Sequence, residues 1–311
     1  MMGAMDSSPA RPFGVLAPRP RRTCVDGGGL CLAAPAKLNL DLWVGPRRDD
    51  GYHGLDSIVA KVTLYDDVVL RPRRDGRIVF RCQGADCGRD EENLALRAAR
   101  LLAREAHPGG GAEILLSKSI PPGRGLGGGS SDAAAVLEGL NELWGLSLPP
   151  DALAELAARL GSDVPLFLGP PAARMTGRGE VLQPVAVPPF VAVLHLPEIV
   201  CSSGEVYRRF DLLRSAVREV PRRDWLSAGT PPSRWSAELR NDLADAAADL
   251  SDELRRTRAR LAERLGAEVS MTGSGSGLFV LCDDEEEAAK RMRRLPDGLI
   301  GRTVVICPNS W

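Results

Sequence analysis

The sequence predicts an α+β protein with two lobes, and three observations support this prediction. The chain has 311 residues, and domains of about 150 residues make two domains the natural expectation. Segments that alternate apolar and polar side chains are interspersed with segments of helical periodicity, so both strands and helices are expected. Towards its end the chain repeats the order strand, helix, strand, which favours a sheet with helices on one face.

Composition and charge exclude several classes of protein. Hydrophobic residues make up 44% and charged residues 26% of the chain, which is ordinary for a globular protein and excludes an intrinsically disordered one. The formal net charge is −1, so no global field attracts nucleic acid or a membrane surface. No apolar run approaches the length of about 18 residues that crosses a bilayer. The seven cysteines are scattered, which favours reduced thiols, a cytoplasmic location and no structural metal.

Residues 1–29 differ from the rest of the chain. They are rich in Pro, Arg and Gly and show no periodicity, which predicts a disordered extension. Arg21 and Arg22 imitate a twin-arginine export signal, but the segment that follows contains Asp26 and three glycines and makes a poor apolar core for such a signal. The body is therefore expected to comprise residues 30–187 and 188–311, with the proline-rich stretch Val187–Pro189 between the lobes.

The first half of the body begins with strands and continues with helices. Leu30–Val44 alternates as a strand or a pair of strands, and Leu55–Leu70 as two strands separated by Tyr65-Asp66-Asp67. Asn93–His107 has the apolar spacing of an amphipathic helix. The other predicted elements are strands at Ile78–Arg81 and Ala112–Ile120, a helix at Asp132–Gly145 begun by Ser130, Ser131 and Asp132, and a helix from Pro149 to Gly161.

The second half mixes strands and helices. The predicted strands are Val181–Val187, Phe190–Leu196, Glu268–Met271, Leu278–Cys282 and Thr303–Cys307. The predicted helices are Ser203–Arg218, Ala237–Asp249, Asp252–Leu265 and Asp284–Leu295.

A glycine-rich loop, Gly123–Ser131, lies between a predicted strand and a predicted helix. Glycines allow backbone N–H groups to approach a ligand closely, and the helix start adds unpaired N–H groups and a positive dipole end. The loop could be a flexible turn capped by serines, but five glycines followed by two hydroxyls favour a phosphate cradle. It is not a Walker A loop, because no Gly-Lys-Ser/Thr closes it.

Three blocks in order resemble the GHMP kinases, the superfamily of galactokinase, homoserine kinase and mevalonate kinase. The blocks are Pro35–Leu40, Pro121–Ala135 and Met271–Gly277. The resemblance implies a two-lobed fold in which residues 30–187 form the ATP-binding and catalytic lobe, similar to a ribosomal-protein domain. It also implies a ferredoxin-like C-terminal lobe over residues 188–311.

Narrower signatures resemble one family within it, the 4-diphosphocytidyl-2-C-methyl-D-erythritol kinases. They are Arg48–His53, which reads R-x-D-G-Y-H, and the runs Leu160–Pro165, Gly177–Glu180 and Arg240–Leu243. The resemblance implies that ATP, with Mg²⁺, phosphorylates the 2-hydroxyl of the cytidine-diphosphate-linked methylerythritol, a step of the non-mevalonate route to isoprenoid precursors. It leaves monomer and homodimer open.

The same resemblance implies roles for individual residues. Asp163, which by turn statistics alone is an ordinary turn aspartate, matches the catalytic aspartate, and Lys37, otherwise a surface-directed strand lysine, matches the catalytic lysine. Asn39, Tyr52, His53, Ser203, Tyr207, Gly273 and Ser274 match positions on the acceptor side. Lys118, Pro121, Pro122, Gly123, Arg124, Gly125, Leu126, Gly127, Gly128, Gly129, Ser130 and Ser131 match the ATP site, with Ser131 or Ser130 as the side chain that could meet Mg²⁺.

Two other interpretations remain at this point. The first is another small-molecule GHMP kinase, of the mevalonate or homoserine type. Arg48–His53 and Tyr207 disfavour it, because they imply a cytosine pocket that such an enzyme would not need. The second is a non-catalytic binding protein with the same fold. The presence of both Lys37 and Asp163 disfavours it, and the balanced charge does not indicate a nucleic-acid partner.

Overall fold

The computed structural model describes residues 16–85, 88–107, 109–214, 219–226, 229–296 and 299–311. Two sheets organise these residues, and the division between them falls between Pro184 and Val191. Among the described residues, none of the helices combines the length and hydrophobicity that a bilayer-spanning segment needs.

The first sheet is built around one long central strand. In the described residues it contains β1 (Arg22–Val25), β2 (Gly29–Asn39), β3 (Trp43–Arg47), β4 (His53–Arg73), β5 (Ile78–Gly84), β6 (Gly111–Lys118), β7 (Ala172–Gly177) and β8 (Val181–Pro184). The main path is β1-β2-β4-β6-β5, while β3 and β7 also pair with β4 and β8 pairs with β7. Only the β5–β6 pair among these is parallel.

Helices cover one face of this sheet. They are α1 (Leu94–Ala106), α2 (Gly128–Leu143), α3 (Pro150–Leu160) and α4 (Val164–Leu168). The alanine-rich α2 lies at the centre of this layer, packed on β2 and β4. Gly139 makes the close approach possible, since a Cβ there would lie 2.4 Å from Leu70 Cδ1. The small side chains of α2 thus determine how near the glycine-rich loop lies to the sheet.

The second sheet has the ferredoxin-like topology. Its strands in the described residues are β9 (Val191–Leu196), β10 (Ser270–Met271), β11 (Leu278–Cys282) and β12 (Arg302–Ile306), in the antiparallel order β10-β11-β9-β12. The helices of this half are α5 (Ser203–Leu213), α6 (Pro232–Trp235), α7 (Ala244–Leu250), α8 (Asp252–Leu265) and α9 (Glu285–Met292). Short 3₁₀ turns occur at Asp90–Glu92 and Asp224–Leu226. The fold is that expected of a two-lobed GHMP kinase.

The two halves share a hydrophobic core rather than sitting on a hinge. Leu38 and Val62 from the first sheet pack in one cluster with Leu194 and Phe279 from the second. Trp225 and Trp235, both fully buried, belong to the same cluster and their ring centroids are 5.3 Å apart. A continuous core of this kind holds the walls of any cleft between the lobes at a defined separation.

The expectation of a disordered extension over residues 1–29 is wrong for its second part. Residues 1–15 lie outside the described residues, but Arg22–Val25 form β1 and pair with β2. Arg21 Nε donates to both carboxylate oxygens of Glu138 on α2 at 2.8–2.9 Å, and its guanidinium lies 5.1 Å from the ring centroid of Trp311. Arg21 and Arg22, which in the sequence resemble an export signal, form ion pairs with Glu138 and Glu142 on α2 and so attach this segment to the rest of the fold.

Three further expectations need correction. Leu55–Leu70 forms one strand, not two, because the Asp66 carboxylate is fully buried among hydrogen-bond donors and does not interrupt the strand. Ala237–Asp249 is not one helix: the backbone of residues 240–242 pairs with Leu42, and α7 begins at Ala244. Cys82 is disulfide-bonded, whereas the other described cysteines have free thiols.

Neighbouring arginines provide a test of how the segment before β2 is held. Arg21 is 22% exposed, bonds Glu138 and donates to the carbonyl oxygen of Phe167 at 3.1 Å, whereas Arg22 pairs with Glu142 at a 56% exposed site. We expect Arg21→Met to lower the free energy of unfolding by about 1–3 kcal/mol, since a partly buried charged hydrogen-bond network is lost. The matched Arg22→Met should cost less than about 1 kcal/mol. Urea denaturation of both variants measures the difference, and equal losses would contradict this account.

Candidate active site

A cleft of about 730 Å³ lies where the two halves of the fold meet. Its walls come from β2, the loop Gly123–Ser131, the start of α4, the start of α5 and the loop after β10. Most of the sequence-predicted site residues line it: Lys37, Asn39, Tyr52, His53, Pro121, Pro122, Gly123, Arg124, Gly125, Leu126, Gly127, Gly128, Gly129, Ser130, Asp163, Ser203, Tyr207, Gly273 and Ser274. Lys118 and Ser131 lie outside this lining.

Three backbone segments that are distant in sequence meet at the floor of the cleft. The Lys37 N–H donates to the carbonyl oxygen of Leu126 at 3.0 Å, and the Gly277 N–H donates to that of Arg124 at 3.1 Å. The Asn39 N–H donates to Thr272 Oγ1 at 2.9 Å. Gly125 has a φ of +71°, and a Cβ there would lie 2.1 Å from the carbonyl oxygen of Thr272. Only glycine permits this approach.

Lys37 is a buried lysine whose head group faces the cleft. It is 4% exposed, and its Nζ donates to Asn39 Oδ1. Asn39 Nδ2 in turn donates to Ser57 Oγ at 2.8 Å, so the amide is oriented from both ends. Burial lowers the pKa of Lys37, and the Asp163 carboxylate opposes that shift. Asn39 therefore positions the ammonium, a contact that the sequence alone did not predict.

Asp163 reaches the cleft from the junction of α3 and α4. It stands at the N-cap position of α4 with φ −87° and ψ −10°, directly before Val164. At the other end of α4, Lys61 Nζ donates to the carbonyl oxygens of Phe167 and Gly169 at 3.2 and 2.8 Å. Burial lowers the pKa of Lys61 to about 7. The helix that carries Asp163 is thus held at its C-terminal end by a buried side chain.

The glycine-rich loop leads directly into α2. That helix begins at Gly128, with Gly127 at the N-cap position in the left-handed region at φ +69°. Ser130 and Ser131 therefore lie within the first turn, and Asp132 follows it, rather than preceding the helix. A Cβ at Gly127 would meet the ring of Phe167 at 2.8 Å. At Gly129, by contrast, the nearest atom to a Cβ would be Leu94 Cδ1 at 3.8 Å. The loop is packed on its inner side and open at Gly129.

Lys118 lies beneath the loop. Its Nζ donates to Asp66 Oδ2 and, at 2.7 Å, to Asp132 Oδ2. Asp66 Oδ1 also accepts the N–H groups of Ser119 and Ile120 at 2.5 and 2.8 Å. Burial alone would lower the pKa of Lys118, but the charges of Asp132 and Asp66 outweigh it and raise the pKa. These three side chains fasten both ends of the glycine-rich loop to β4.

The cluster of Asp66, Lys118 and Asp132 contains one more carboxylate than it has cations. Asp132 is 2% exposed, and its Oδ1 has no hydrogen-bond partner. Burial raises the pKa of Asp132 to about 8, against the opposing charge of Lys118. A protonated Asp132 leaves the cluster neutral, which suits its burial.

An aromatic group lines the cleft near His53. The His53 ring is stacked on that of Tyr207, with centroids 5.3 Å apart and an interplanar angle of 25°. Tyr52 is 57% exposed, and the guanidinium of Arg178 lies 4.6 Å from its ring centroid. Burial, together with the nearby charge of Asp163, raises the pKa of Tyr207. The aromatic group and the charged pair of Lys37 and Asp163 therefore belong to one site.

Three remaining predicted residues make contacts within their own half of the fold. Ser203 Oγ and Ser274 Oγ are 2.8 Å apart, which links the start of α5 to the loop after β10. The Arg124 guanidinium donates to the carbonyl oxygens of Pro122 and Gly123 at 3.1 and 3.4 Å and is largely buried. It folds back on its own loop instead of extending outward.

Sequence reasoning missed Asp66 and Thr272 as site residues, and it read Asp132 only as a helix cap. Asp66 and Asp132 accept hydrogen bonds from Lys118, which is 52 and 14 residues away from them, respectively. Thr272 accepts one from Asn39, 233 residues away. Nothing in the local pattern indicates such pairings. The one available signal was that two adjacent aspartates occur in a strand-like run.

Comparison with known proteins gives consistent matches along the chain. Residues 93–169 match the family model of GHMP kinase N-terminal domains, and residues 231–300 that of GHMP kinase C-terminal domains. A 4-diphosphocytidyl-2-C-methyl-D-erythritol kinase from Thiobacillus denitrificans is 41% identical, with 86% of this chain and 92% of that protein covered. One from Shouchella clausii is 38% identical, with 90% and 97% covered.

A solved structure agrees with the sequence relatives. The crystal structure of a 4-(cytidine 5'-diphospho)-2C-methyl-D-erythritol kinase superimposes with a TM-score of 0.74 and 37% sequence identity, covering 90% of this chain and 99% of that one.

The charge cluster beneath the loop predicts a pH dependence of stability. Because the pKa of Asp132 is raised from 3.8 to about 8, the folded state keeps a proton that the unfolded chain loses within that range. Stability should therefore fall as pH rises from about 4 to about 8, by up to about 1.4 kcal/mol per pH unit. Asp132→Asn removes this dependence, so its Tm should exceed that of the wild type by an amount that grows between pH 5 and pH 8.

Thermal unfolding across that pH range measures the effect. Asp151→Asn, which removes an exposed carboxylate from the first turn of α3, is the matched control and should follow the wild type. A constant difference in Tm between Asp132→Asn and the wild type at every pH would contradict the raised pKa.

Proposed function

The chain belongs to the 4-diphosphocytidyl-2-C-methyl-D-erythritol kinases of the GHMP kinase superfamily, and we propose that Lys37, Asp163 and the loop Gly123–Ser131 carry its reaction. The chain is an ATP-dependent kinase that acts on a small-molecule alcohol in the non-mevalonate route to isoprenoid precursors. The observation that carries the assignment of residues is that a buried lysine, an aspartate and a glycine-rich loop face one cleft.

Asp163 is the proposed base for the attacking hydroxyl. Phosphoryl transfer demands positioning and charge stabilisation more than covalent chemistry from the protein, and an aspartate that accepts the hydroxyl proton orients the nucleophile. The proton of the 2-hydroxyl passes to the Asp163 carboxylate as its oxygen bonds to the γ-phosphorus of ATP and the bond to ADP breaks. Asp163 stands at the start of α4, whose C-terminal end is held by Lys61, so the backbone that carries the carboxylate is fixed.

Lys37 is the proposed electrostatic partner. Its ammonium has three N–H groups, and one of them is used on Asn39. The others are available to the hydroxyl oxygen and the transferred phosphoryl group, where positive charge stabilises the transition state. The Asp163 carboxylate opposes the lowering of the Lys37 pKa by burial and so favours the charged ammonium.

The loop Gly123–Ser131 is the proposed phosphate cradle. The N-terminus of α2 directs unpaired N–H groups and the positive end of the helix dipole towards the cleft, which favours an anion. Gly129 leaves the backbone open on the side where a phosphate would approach. Lys118, whose Nζ is already bonded by two carboxylates, contributes by holding the loop and not by binding phosphate.

The Mg²⁺ that kinases of this kind use would neutralise charge on the β- and γ-phosphates. In the described residues no group of three or more His, Cys, Asp or Glu could hold a metal alone, which suits an ion carried by the nucleotide and water. Ser130 lines the cleft, while the Ser131 hydroxyl is buried without a hydrogen-bond partner. We therefore favour Ser130 over Ser131 as the hydroxyl that would meet the ion.

The aromatic group near His53 is the proposed site of the cytosine base. Tyr52, His53 and Tyr207 offer ring faces for stacking and an imidazole for hydrogen bonding. Tyr207 is close enough to Asp163 for its pKa to respond to that charge. A base bound here would hold the rest of the acceptor near Lys37 and Asp163, a role that mevalonate or homoserine would not need.

Substitution of the charged pair tests the assignment of the catalytic residues. We expect Asp163→Asn to lower kcat by about 10²–10⁴-fold, since the group that accepts the proton is lost, and Lys37→Ala to have a comparable effect. The double variant should be little worse than either single one, because groups that act as a unit are not additive. Steady-state kinetics of the three variants, with calorimetric binding of the cytidine substrate, provides the measurement. Near-normal kcat in Asp163→Asn would mean that this residue is only a turn aspartate.

Gly129 offers the cleanest test of the phosphate cradle. A side chain at Gly127 or Gly125 would strike Phe167 or Thr272, whereas one at Gly129 meets only Leu94 at 3.8 Å. We expect Gly129→Val to leave the Tm within a few degrees of the wild type and to raise the KM for ATP at least about tenfold, the effect of losing one well-placed phosphate contact. Gly109→Val is the control, because Gly109 lies outside the cleft lining and a Cβ there would meet no atom within 4 Å. Unchanged ATP kinetics in a folded Gly129→Val would contradict the cradle.

A further inference from the structure

The ring of His53 is held on three sides in the wall of the cleft. His53 is 7% exposed, and its Nε2 lies 2.7 Å from Asp211 Oδ1 on α5. The Tyr207 ring is stacked against one face of it, and the Phe210 ring approaches edge-on, with centroids 6.0 Å apart at 79°. The hydrogen bond and the two ring contacts together fix the orientation of the imidazole.

Asp211 determines which ring nitrogen carries the proton. An ionised carboxylate can only accept hydrogen bonds, so the nitrogen that faces it must be the donor. In a neutral imidazole Nε2 then carries the hydrogen and Nδ1 is left as an acceptor. Asp211 and His53 both line the cleft, so this pair presents its chemistry to whatever binds there.

An acceptor nitrogen distinguishes the two pyrimidines that a nucleoside diphosphate can carry. Cytosine has an exocyclic amine, which donates hydrogen bonds, where uracil has a carbonyl oxygen, which only accepts. A bare Nδ1 is complementary to the amine and repels the carbonyl oxygen. Leaving such buried polar groups unpaired is what makes a hydrogen-bonding site selective.

We propose that Asp211 is a positioning residue that sets the tautomer of His53 and thereby makes the cleft prefer a cytidine over a uridine nucleotide. This rests on the proposed function, in which the base lies against His53. Asp211 acts through His53, not by touching the reacting groups. Its effect is therefore expected on the choice of base and not on the rate of phosphoryl transfer.

Two substitutions separate this role from a structural one. Asp211→Ala frees the ring to turn its donor nitrogen towards the base, so uridine binding should improve relative to cytidine binding. Asp211→Asn can still accept the Nε2 hydrogen through its amide oxygen and should retain the preference. Calorimetric titration of the full chain with CDP and with UDP gives the ratio of the two Kd values. We expect Asp211→Ala to lower the preference for CDP by about tenfold, and Asp211→Asn to restore most of it.

The control is Asp249→Ala, which removes another carboxylate bonded to α5, through Arg209, at an exposed position. Its CDP preference should equal that of the wild type. Nitrogen-15 NMR of the His53 ring provides a second readout without any nucleotide: Nε2 should be protonated and Nδ1 bare in the wild type and in Asp211→Asn.

The outcomes distinguish this proposal from the proposed function. If the wild type binds CDP but Asp211→Ala weakens CDP and UDP equally, Asp211 only supports the fold and the proposal is wrong. A protonated Nδ1 in the wild type would also overturn it. If the wild type binds neither nucleotide, the assignment of the base site itself fails, and the selectivity proposal fails with it.

Discussion

The close approach of the glycine-rich loop to the loop after β10 is the contact on which the site depends. Gly125 lies against the carbonyl oxygen of Thr272, and the backbone of Arg124 bonds that of Gly277. The side chain of Thr272 accepts the N–H of Asn39, which places β2 and Lys37 beside both loops. One contact between backbones thus brings together groups from the start, the middle and the end of the chain, and any side chain at Gly125 would separate them.

The buried lysines of the first lobe differ in their partners, and this difference explains which of them faces the cleft. Lys118 is hydrogen-bonded to Asp66 and Asp132, and Lys61 is bonded to carbonyl oxygens at the end of α4. Lys37 bonds only a neutral amide among the contacts described above. Its ammonium lines the cleft, and the Asp163 charge acts on it. Burial raises the strength of each of these interactions, because little water screens them.

The sequence predicted the helices and strands with strong periodicity and most of the residues that line the cleft, because those depend on local pattern or on motifs. It failed where a residue's environment comes from far along the chain. Asp66 looks like a strand breaker until Lys118 and two N–H groups surround it. Arg21 looks like part of a loose extension until Glu138 accepts its guanidinium. Likewise, residues 240–242 have helical composition, but Leu42 takes their backbone hydrogen bonds.

The most direct measurement of the central claim is a phosphorus-31 NMR assay of the purified chain with ATP, Mg²⁺ and 4-diphosphocytidyl-2-C-methyl-D-erythritol. Transfer through the site described here predicts ADP and one new phosphomonoester on the 2-hydroxyl, formed by the wild type and lost in Asp163→Asn. Mevalonate or homoserine in place of the cytidine substrate should yield no phosphorylated product. Phosphorylation of either of those alcohols, with none of the cytidine compound, would contradict the account.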